Sequence, residues 1–533
     1  MKKSLISMAA LLAVLVGCNK ELQQDTPADV DGKVYMQFSV NMLTTRSATD
    51  EDGNTNSNAN PEYEVGKDTE NKISKVDVVL SNGSQYVVAD NVVPAQASTD
   101  TYVASFSSVE LSANATYNVY IYANCEAPTD LQLDAVSNAS IDEITKANKF
   151  WMTNAYAATP VTLPSNLSLH TQPQNPLNLG SHYVERTMAR FDYMAVNEGN
   201  VYPIQTETVT GEGENAVTTT KTVANIKLTD IALINMSNSF YMFRRVSADG
   251  TNVDWSVGGV EIPTNYVVDT DYTAKANGWA AGLEANFTHH MTDPTSWDWD
   301  SLAGLTADDN WTGAGTGDHN PSSYKIWRYA KENTIPNVDA QDHGITTGVV
   351  FKGEIQATAD APQALKDAMA AKTERIYVFE NKLIGTWAMV QAAATASGAK
   401  ATLAAAYNQV TAGLAALGTG ATEAQKSQVY AGAGFTGYSP EGDKYYAYYY
   451  YWNRHNDNKQ PYTMGVMEFA VVRNNVYKLC VDNIVRFGHP TPGGTDPDPD
   501  PELPEEPDES VNYYFNVTVK VLPWVVRVNH IEF

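Results

Sequence analysis

The stretch KVYMQFSVNM, from Lys33 to Met42, decides how the rest of the chain is interpreted. Apolar residues occupy every second position in it, and successive side chains of a β-strand point to opposite faces of a sheet. The alternation therefore predicts a β-strand with one buried face. The residues on that face are Val34, Met36, Phe38, Val40 and Met42.

The segment after this strand has the composition of an exposed loop. Thr44-Thr45-Arg46-Ser47 leads into an acidic, asparagine-rich stretch that continues to about Asn60 and has no apolar periodicity. Proteases cut exposed loops of this kind, and the bond between Arg46 and Ser47 suits a trypsin-like enzyme. Two interpretations stay open: a strand tethered through a cleavable arginine, or a first strand followed by a loop that happens to contain Arg46.

The residues before the strand predict a secretion signal. Two lysines precede an apolar run from Leu5 to Val16, which is too short to span a bilayer, so residues 1–17 are assigned to a signal peptide. Leu15 to Cys18 reads LVGC and resembles a bacterial lipobox. By that resemblance Cys18 would be lipidated and would anchor residues 18–46, which contain the first strand. The alternative is an ordinary signal peptide with an incidental cysteine.

The body of the chain shows short strand patterns that alternate with clusters of turn residues. TYNVYIYA, from Thr116 to Ala123, is a clear example, and similar patterns recur through most of the chain. Strands at this spacing indicate antiparallel β-sandwiches, so the chain is predicted to be mainly β. A Pro/Asn/Gly-rich stretch from Thr171 to Gly180 indicates a domain boundary just beyond it. We expect an N-terminal sandwich over residues 47–182 and a C-terminal sandwich over residues 183–488.

A helical insertion is expected inside the second sandwich, at about residues 361–430. Pro362 follows Asp360, an arrangement typical of a helix start, and an alanine-rich run comes next. Because glycines interrupt this run, we expect two or three short helices rather than one long one.

The C-terminal segment combines a stiff spacer with another alternating strand. Residues 489–510 read HPTPGGTDPDPDPELPEEPDES, in which prolines and mutually repelling carboxylates keep the chain extended. In residues 511–533 the apolar residues again take every second position. The residues on this apolar face, with the tryptophan that ends the pattern, are Val511, Tyr513, Phe515, Val517, Val519, Val521 and Trp524. A lone strand needs a partner sheet, which is either its own domain or another subunit.

The composition argues against several classes of function. The formal net charge of −27 repels phosphate backbones, so nucleic acid is not an expected partner. The three cysteines, Cys18, Cys125 and Cys480, lack the spacing of metal ligands, and pairing between the last two is left open. Because no catalytic or cofactor-binding motif stands out, we expect neither an enzyme nor a cofactor.

Four stretches resemble the Bacteroidales fimbrillins, or type V pilins, and most closely the structural subunit of the short (minor) fimbriae of Porphyromonas. They are VERTMAR (Val184 to Arg190), YYAYYYYW (Tyr445 to Trp452), VVRNNVYKL (Val471 to Leu479) and VTVKVLPW (Val517 to Trp524). With the lipobox, the Asp/Pro-rich spacer and Arg46, they follow one another in a specific order over most of the chain. Residues 199–346 and the helical insertion match only loosely.

The resemblance implies a fold and a way of assembling. The fold would be two transthyretin-like antiparallel β-sandwich domains, with the helical insertion in the second domain and a C-terminal donor strand over residues 511–533. An arginine-specific or trypsin-like protease would cut between Arg46 and Ser47 and release the first strand. The donor strand of a neighbouring subunit would then fill the vacated groove, and repetition would give a head-to-tail homopolymer.

The function implied is that of a non-enzymatic stalk subunit of a cell-surface fimbria that supports adhesion and biofilm formation. The expected partners are further copies of the chain, accessory anchor and tip subunits, the processing protease, and host or bacterial surface ligands. The alternative is a tip or stand-alone surface adhesin that binds glycans or host protein. Such an adhesin would accept a strand without needing to donate one.

Overall fold

The computed structural model describes residues 33–42, 64–84, 86–98, 100–108, 111–128, 132–210, 217–248, 250–258, 266–278, 282–305, 324–337, 340, 344–456, 463–494 and 515–525. Several sequence predictions fall outside these ranges, namely the signal peptide, Cys18, Arg46, Ser47 and most of the 489–510 spacer. Among the described residues the protein is mainly β, as predicted, with three large sheets and several small ones.

The first large sheet is built from strands that end before residue 187. Its described strands follow the spatial order Tyr86–Val92, Val76–Ser81, Thr116–Ala123, Met152–Asn154, Leu177–Arg186, Val34–Met42, Thr101–Ser108 and Ala95–Gln96, and Pro160–Thr162 pairs beside Thr116–Ala123. Val34–Met42, the strand predicted first from the sequence, therefore has a neighbour on each side.

The first sheet is covered by side chains on both faces, as the strand Thr116–Ala123 shows. Ile121 lies in the apolar cluster that also contains the first strand, whereas Tyr120 and Tyr122 belong to a second cluster on the opposite face. The rings of Tyr120 and Tyr122 meet the ring of Phe243 edge-on, at centroid distances of 5.5 and 5.0 Å. Residues from the C-terminal half thus close one side of the N-terminal sheet.

The other two large sheets face each other across the largest apolar core. One has the described order Glu64–Val65, Phe515–Val525, Asn475–Ile484, Ala189–Ala195 and Lys325–Ala330. The other has the order Val201–Thr210, Val217–Ile234, Gly348–Ala357, Lys444–Trp452 and Pro440–Glu441, with Asp300–Ser301 beside Val217–Ile234. Phe191 stacks on Tyr477 within the first of these sheets at 4.9 Å, and Tyr193 reaches across to Phe351 of the other at 5.7 Å.

In the tyrosine-rich strand Lys444–Trp452, successive side chains point to opposite faces of the sheet. Tyr445 and Tyr449 point into the core between the two sheets. Tyr448 and Tyr450 point to the opposite face, where they join an aromatic cluster with Trp297. An almost continuous aromatic run therefore fills two separate cores.

The helical insertion contains more structure than the sequence indicated. Its helices are Gln363–Ala371, Trp387–Thr395, Ala401–Leu417 and Glu423–Gly432, and a small sheet of Lys382–Thr386, Ile376–Phe379 and Phe435–Tyr438 packs with them. The expectation of two or three helices was therefore too low. The first helix begins after Pro362, which is its N-cap residue.

The remaining described elements are short. The helices are Asp68–Asn71, Ile141–Ile144 and Tyr272–Ala276, and the strand pairs are Met236–Ser237 with Phe287–Thr288, Phe240–Tyr241 with Val136–Ser137, Arg245–Ser247 with Ser256–Val257 and Tyr266–Val267, and Asn333–Thr334 with Ala470–Val471. None of the described helices is both long and apolar enough to cross a membrane.

The chain passes from the first sheet to the other two between Arg186 and Ala189. Leu177–Arg186 is the last strand of the first sheet, and Ala189–Ala195 begins the next one. The boundary expected between residues 182 and 183 falls inside Leu177–Arg186. The stretch from Val184 to Val196, which reads as one strand in the sequence, is thus two strands in different sheets.

Candidate strand-exchange site

The first strand, Val34–Met42, lies in the interior of the first sheet. It pairs antiparallel with Thr101–Ser108, from Val34 opposite Ser108 to Asn41 opposite Thr101. On its other side it pairs parallel with Leu177–Arg186. Because two strands bond to it, its removal would expose the backbone donors and acceptors of both.

The apolar face of the first strand is almost completely buried. The exposed fractions of Val34, Met36, Phe38, Val40 and Met42 are 6, 0, 1, 0 and 2%, and the residues between them are only half-buried. Burying five such side chains contributes roughly 8–15 kcal/mol, at about 1.5–3 kcal/mol each. The first strand is therefore a major part of the N-terminal core, and without it the core would contain an apolar groove.

The centre of this groove accommodates one large ring. Phe38 lies directly opposite Ala104, whose side chain is a single methyl group. The phenyl ring of Phe38 meets the rings of Phe106 and His182 edge-on, at centroid distances of 6.1 and 5.9 Å. The small residue opposite leaves the space that the phenyl ring fills.

A β-bulge lies beside the first strand in Leu177–Arg186. The register with the first strand shifts between Gln37 and Ser39, so that Leu179 and Gly180 together lie opposite a single residue of the first strand. Gly180 has a φ of 91°, a left-handed conformation that glycine adopts without strain. The backbone N–H of Gly180 donates to Asn178 Oδ1 at 2.9 Å, which holds the bulge in place.

His182 is a buried titratable group that packs against the first strand. Its side chain is shielded from solvent, and Nε2 lies 3.1 Å from the carbonyl oxygen of Leu179. Burial lowers the pKa of His182, because a charged imidazolium loses its hydration there. The ring is therefore neutral at pH 7, with Nε2 donating to the carbonyl.

The C-terminal strand, Phe515–Val525, lies in the same chain's five-stranded sheet. It pairs antiparallel with Asn475–Ile484, from Phe515 opposite Ile484 onwards, and its end pairs parallel with Glu64–Val65. Within one chain, the strand thus occupies the first of the two partner sheets that the sequence left open. The first strand and the C-terminal strand belong to different sheets.

The predicted site residues are therefore only partly described. The first-strand residues lie together in one groove, and Phe515, Val517, Val519, Val521 and Trp524 lie in the C-terminal strand. Val517 is half-buried against the core between the two C-terminal sheets. Val511 and Tyr513 lie outside the described residues, as do Cys18, Arg46 and Ser47.

A buried polar cluster joins the N-terminal and C-terminal halves, and the sequence analysis missed it. Arg190 is fully buried, with Nη1 3.0 Å from Glu70 Oε2 and with Nε and Nη2 each 2.9 Å from the Asp192 carboxylate. The Tyr329 hydroxyl donates to Glu70 Oε1 at 2.6 Å. Glu70 belongs to the short helix Asp68–Asn71, so the segment that follows the predicted cleavage loop is fixed to the C-terminal half.

Two of the stretches that carry the resemblance meet at this junction. Arg186 of VERTMAR donates through Nη1 to Asn474 Oδ1 of VVRNNVYKL at 3.2 Å, and through Nε to the carbonyl oxygen of Glu70 at 3.2 Å. Arg473 of VVRNNVYKL donates to the Glu332 carboxylate at 2.6 Å. The available signal was Arg190, which stands next to Phe191 in the mostly apolar strand Ala189–Ala195, since an arginine at such a position needs buried partners.

The two described cysteines, Cys125 and Cys480, are buried and are not bonded to each other. Burial raises the pKa of the Cys125 thiol far above its ordinary value, so it stays protonated. In this structure the pairing that the sequence left open is therefore absent.

Residues 443–530 match the family model described as "Major fimbrial subunit protein type IV, Fimbrillin, C-terminal". The C-terminal region is fimbrillin-like. The match spans the strands Lys444–Trp452, Asn475–Ile484 and Phe515–Val525, so it includes the C-terminal strand. The resemblance to the Bacteroidales fimbrillins is thereby confirmed. No curated protein matches the chain.

Several solved structures of bacterial surface proteins are similar to the chain over most of its length. A fimbrilin (fimA) from Porphyromonas gingivalis is 14% identical, with 93% of this chain and 99% of that chain covered and a TM-score of 0.37. A putative cell adhesion protein from Parabacteroides distasonis is 12% identical, with 94% and 100% covered and a TM-score of 0.38. The tip fimbrial protein Mfa3 from Porphyromonas gingivalis, with a C-terminal truncation, is 9% identical, with 92% and 100% covered and a TM-score of 0.30.

TM-scores of this size carry no argument about function, which therefore rests on the family match. That match, over residues 443–530, is to a family of fimbrial subunits. It also indicates a structural protein rather than an enzyme.

Proposed function

We propose that this chain is the stalk subunit of a cell-surface fimbria, secreted as a lipoprotein precursor and polymerised by donor-strand exchange. The observation that carries the proposal is the first strand. It is an interior strand with a completely buried face, and it is joined to the rest of the chain through a long segment that contains Arg46. An interior strand that can be cut free is what a strand-exchange mechanism requires.

Processing begins at the membrane in this proposal. Cys18 carries the lipid that holds the precursor at the outer membrane, and a trypsin-like protease cuts between Arg46 and Ser47. The cut removes the covalent link to residues 18–46 but none of the hydrogen bonds or apolar contacts of the first strand. Because an empty groove would leave two strand edges and an apolar surface in water, the first strand leaves only as another strand enters.

The entering strand is the C-terminal segment of a neighbouring subunit. In its own chain this segment lies at one side of Asn475–Ile484 and touches Glu64–Val65 only at its end. In the groove it would instead have a strand along each side, as the first strand has. The spacer, at roughly 3 Å per residue, lets the segment leave its own domain and reach another subunit.

The proposed product is a head-to-tail fibre that supports adhesion and biofilm formation. Its subunits keep an N-terminal sandwich that ends with Leu177–Arg186, a C-terminal sandwich that begins with Ala189–Ala195, and the linking spacer. Accessory anchor and tip subunits would end the fibre, and host or bacterial surface ligands would bind it. The family match to residues 443–530 supports this assignment.

The test is trypsin treatment of the purified chain that lacks residues 1–17, beside its Arg46→Ala variant, followed by electron microscopy. We expect filaments, and an SDS-resistant ladder in unboiled samples, from the parent chain only. Clean cleavage at Arg46 that leaves monomers would contradict strand exchange. Since the C-terminal strand already has a partner in its own chain, a tip or stand-alone adhesin would then be the better assignment.

A further inference from the structure

We propose that the C-terminal strand enters the groove in the direction of the first strand and in a single register, with Phe515 in the site of Phe38. This inference rests on the proposed strand exchange and adds to it the geometry of the exchanged pair. It follows from the shape of the groove and from the order of residue sizes in the two strands.

The two strands carry the same apolar pattern when they are aligned in one direction. The first strand has Val34, Met36, Phe38, Val40 and Met42, and the C-terminal segment has Val511, Tyr513, Phe515, Val517 and Val519. Valine, phenylalanine and valine recur at the first, third and fourth positions. The third position is the one with the phenyl ring in both strands.

The groove accepts a ring at the third position. Ala104 lies opposite Phe38, and the bulge at Leu179 and Gly180 lies on the other side. Phe515 would fill this space and recover the edge contacts with Phe106 and His182. A valine there would leave part of the site empty, which destabilises a core in proportion to the cavity.

The groove excludes a ring at the fourth position. Val40 lies between Tyr102 and His182, and the exposed fraction of each of these side chains is 4%. A ring at this site would overlap a close-packed neighbour, whereas Val517 matches the present side chain. A shift that moves Phe515 to the Val40 site is therefore disfavoured.

The second position decides the direction of the strand. Met36 lies between Phe106 and Leu177, which are both only half-buried, so a ring of Tyr513 at this site has less tightly enclosed neighbours than a ring at the Val40 site. If the strand ran in the opposite direction with Phe515 still at the centre, Tyr513 would fall at the crowded Val40 site. Only the direction of the first strand places both rings where the groove has room for them.

An engineered disulfide tests the register in assembled filaments. Gln37 lies opposite the exposed Ser105, so the proposed register places Tyr514 opposite Ser105. Directly opposite residues lie within the Cα separation that a disulfide tolerates, whereas residues two positions away lie at about 7–8 Å. The variant pair is S105C with Y514C, in the chain that lacks residues 1–18, cleaved with trypsin and oxidised.

The matched controls combine S105C with N512C or with N516C, and the uncleaved chain serves for all three pairs. We expect a boiled, non-reduced ladder from S105C/Y514C after cleavage, and monomers from the uncleaved chain because the first strand still fills the groove. Filaments that cross-link through N512C or N516C instead would overturn the register, and so would filaments in which no pair cross-links. Clean cleavage without filaments would contradict the proposed function itself, a result distinguishable by electron microscopy.

Discussion

Arg190 is the central charged residue of the junction between the N-terminal and C-terminal halves. It is fully buried, and its guanidinium bridges Glu70 of the N-terminal half and Asp192 of its own strand. Burial raises the pKa of Asp192 even though Arg190 opposes the shift, which shows that desolvation is the larger of the two effects. A pair of this kind stabilises the protein only as long as each partner is present.

Replacing Arg190 should therefore destabilise the folded protein strongly. Arg190→Ala leaves two buried carboxylates without their cation, and we expect the free energy of unfolding to fall by about 3–5 kcal/mol. Urea unfolding at pH 7 measures the change. Lys426→Ala is the matched control, because Lys426 forms an exposed ion pair with Glu423 and its loss should change stability little. Equal effects of the two substitutions would show that the junction does not depend on the Arg190 cluster.

His182 makes the stability of the first sheet depend on pH. Because its folded-state pKa lies below the ordinary value of 6.5, the unfolded chain binds a proton more readily than the folded one between those two values. Stability is therefore complete above about pH 6.5 and decreases as the pH falls, by at most about 1.4 kcal/mol per pH unit. His182→Gln should lose this contribution, which urea unfolding between pH 7 and pH 5 detects. Parallel pH profiles for parent and variant would contradict the assignment.

The first strand should contribute to the stability of the precursor but not to the stability of the filament. Phe38→Ala removes a ring with an exposed fraction of 1%, and we expect it to destabilise the uncleaved chain by about 3–5 kcal/mol. If the first strand leaves during assembly, filaments of the variant should melt at the temperature of the parent filaments. Calorimetry of precursor and filament measures both.

Ile121→Ala is the control for this experiment. Ile121 is fully buried in the same apolar cluster but belongs to Thr116–Ala123, which stays in the subunit after cleavage. It should therefore lower the melting temperature of precursor and filament alike. Filaments that Phe38→Ala also destabilises would mean that the first strand remains in place.

At the scale of single elements, the sequence predicted the strands whose apolar residues alternate along a short stretch of the chain. The strands Val34–Met42 and Thr116–Ala123 are found where the sequence placed them, because a two-residue period is visible over eight or nine residues. The change of sheet between Arg186 and Ala189 could not be predicted from the sequence. The residues on both sides of it are buried, so the burial pattern does not change there. A change of sheet is set by long-range pairing, which leaves no periodic signal.

The same limit applies to the polar cluster. Glu70 and Arg190 are 120 positions apart in the sequence, and Arg186 and Asn474 are 288 apart. Apart from Arg190, each of these residues alone reads as a surface charge or a turn residue, and only the fold brings them together. The candidate groove was predictable from one strand of nine residues, whereas the partners that line it on both sides were not.

On the scale of the whole molecule, the segment after the predicted cleavage loop and the C-terminal strand meet at the junction between the two halves. The strand Glu64–Val65 pairs with the end of the C-terminal strand, and the adjacent helix Asp68–Asn71 supplies Glu70 to the buried cluster. The segment that follows the predicted cleavage loop is thus held both by the C-terminal strand and by the C-terminal half. If the C-terminal strand leaves for another subunit, as we propose, the Glu70 cluster would continue to hold this segment.

The charge of the whole molecule should control how fast the fibre grows. With a formal net charge of −27, two subunits repel each other as they approach, and salt screens that repulsion over about 30 Å at 0.01 M and about 10 Å at 0.1 M. We therefore expect the polymerisation rate of pre-cleaved subunits, followed by light scattering, to rise severalfold between about 10 and about 150 mM salt. The final filament yield should change little, since it depends on apolar burial that salt at these concentrations hardly alters.

The acidic spacer provides the control for this prediction. Replacing its carboxylates by amides, Asp→Asn and Glu→Gln over residues 496–509, removes negative charge from the segment that precedes the C-terminal strand in the sequence. This variant should assemble faster than the parent at low salt and respond less to added salt. A rate that instead falls as salt is added would mean that the approach is driven by attraction between oppositely charged surfaces. Charged patches on the subunits, rather than their net charge, would then control growth.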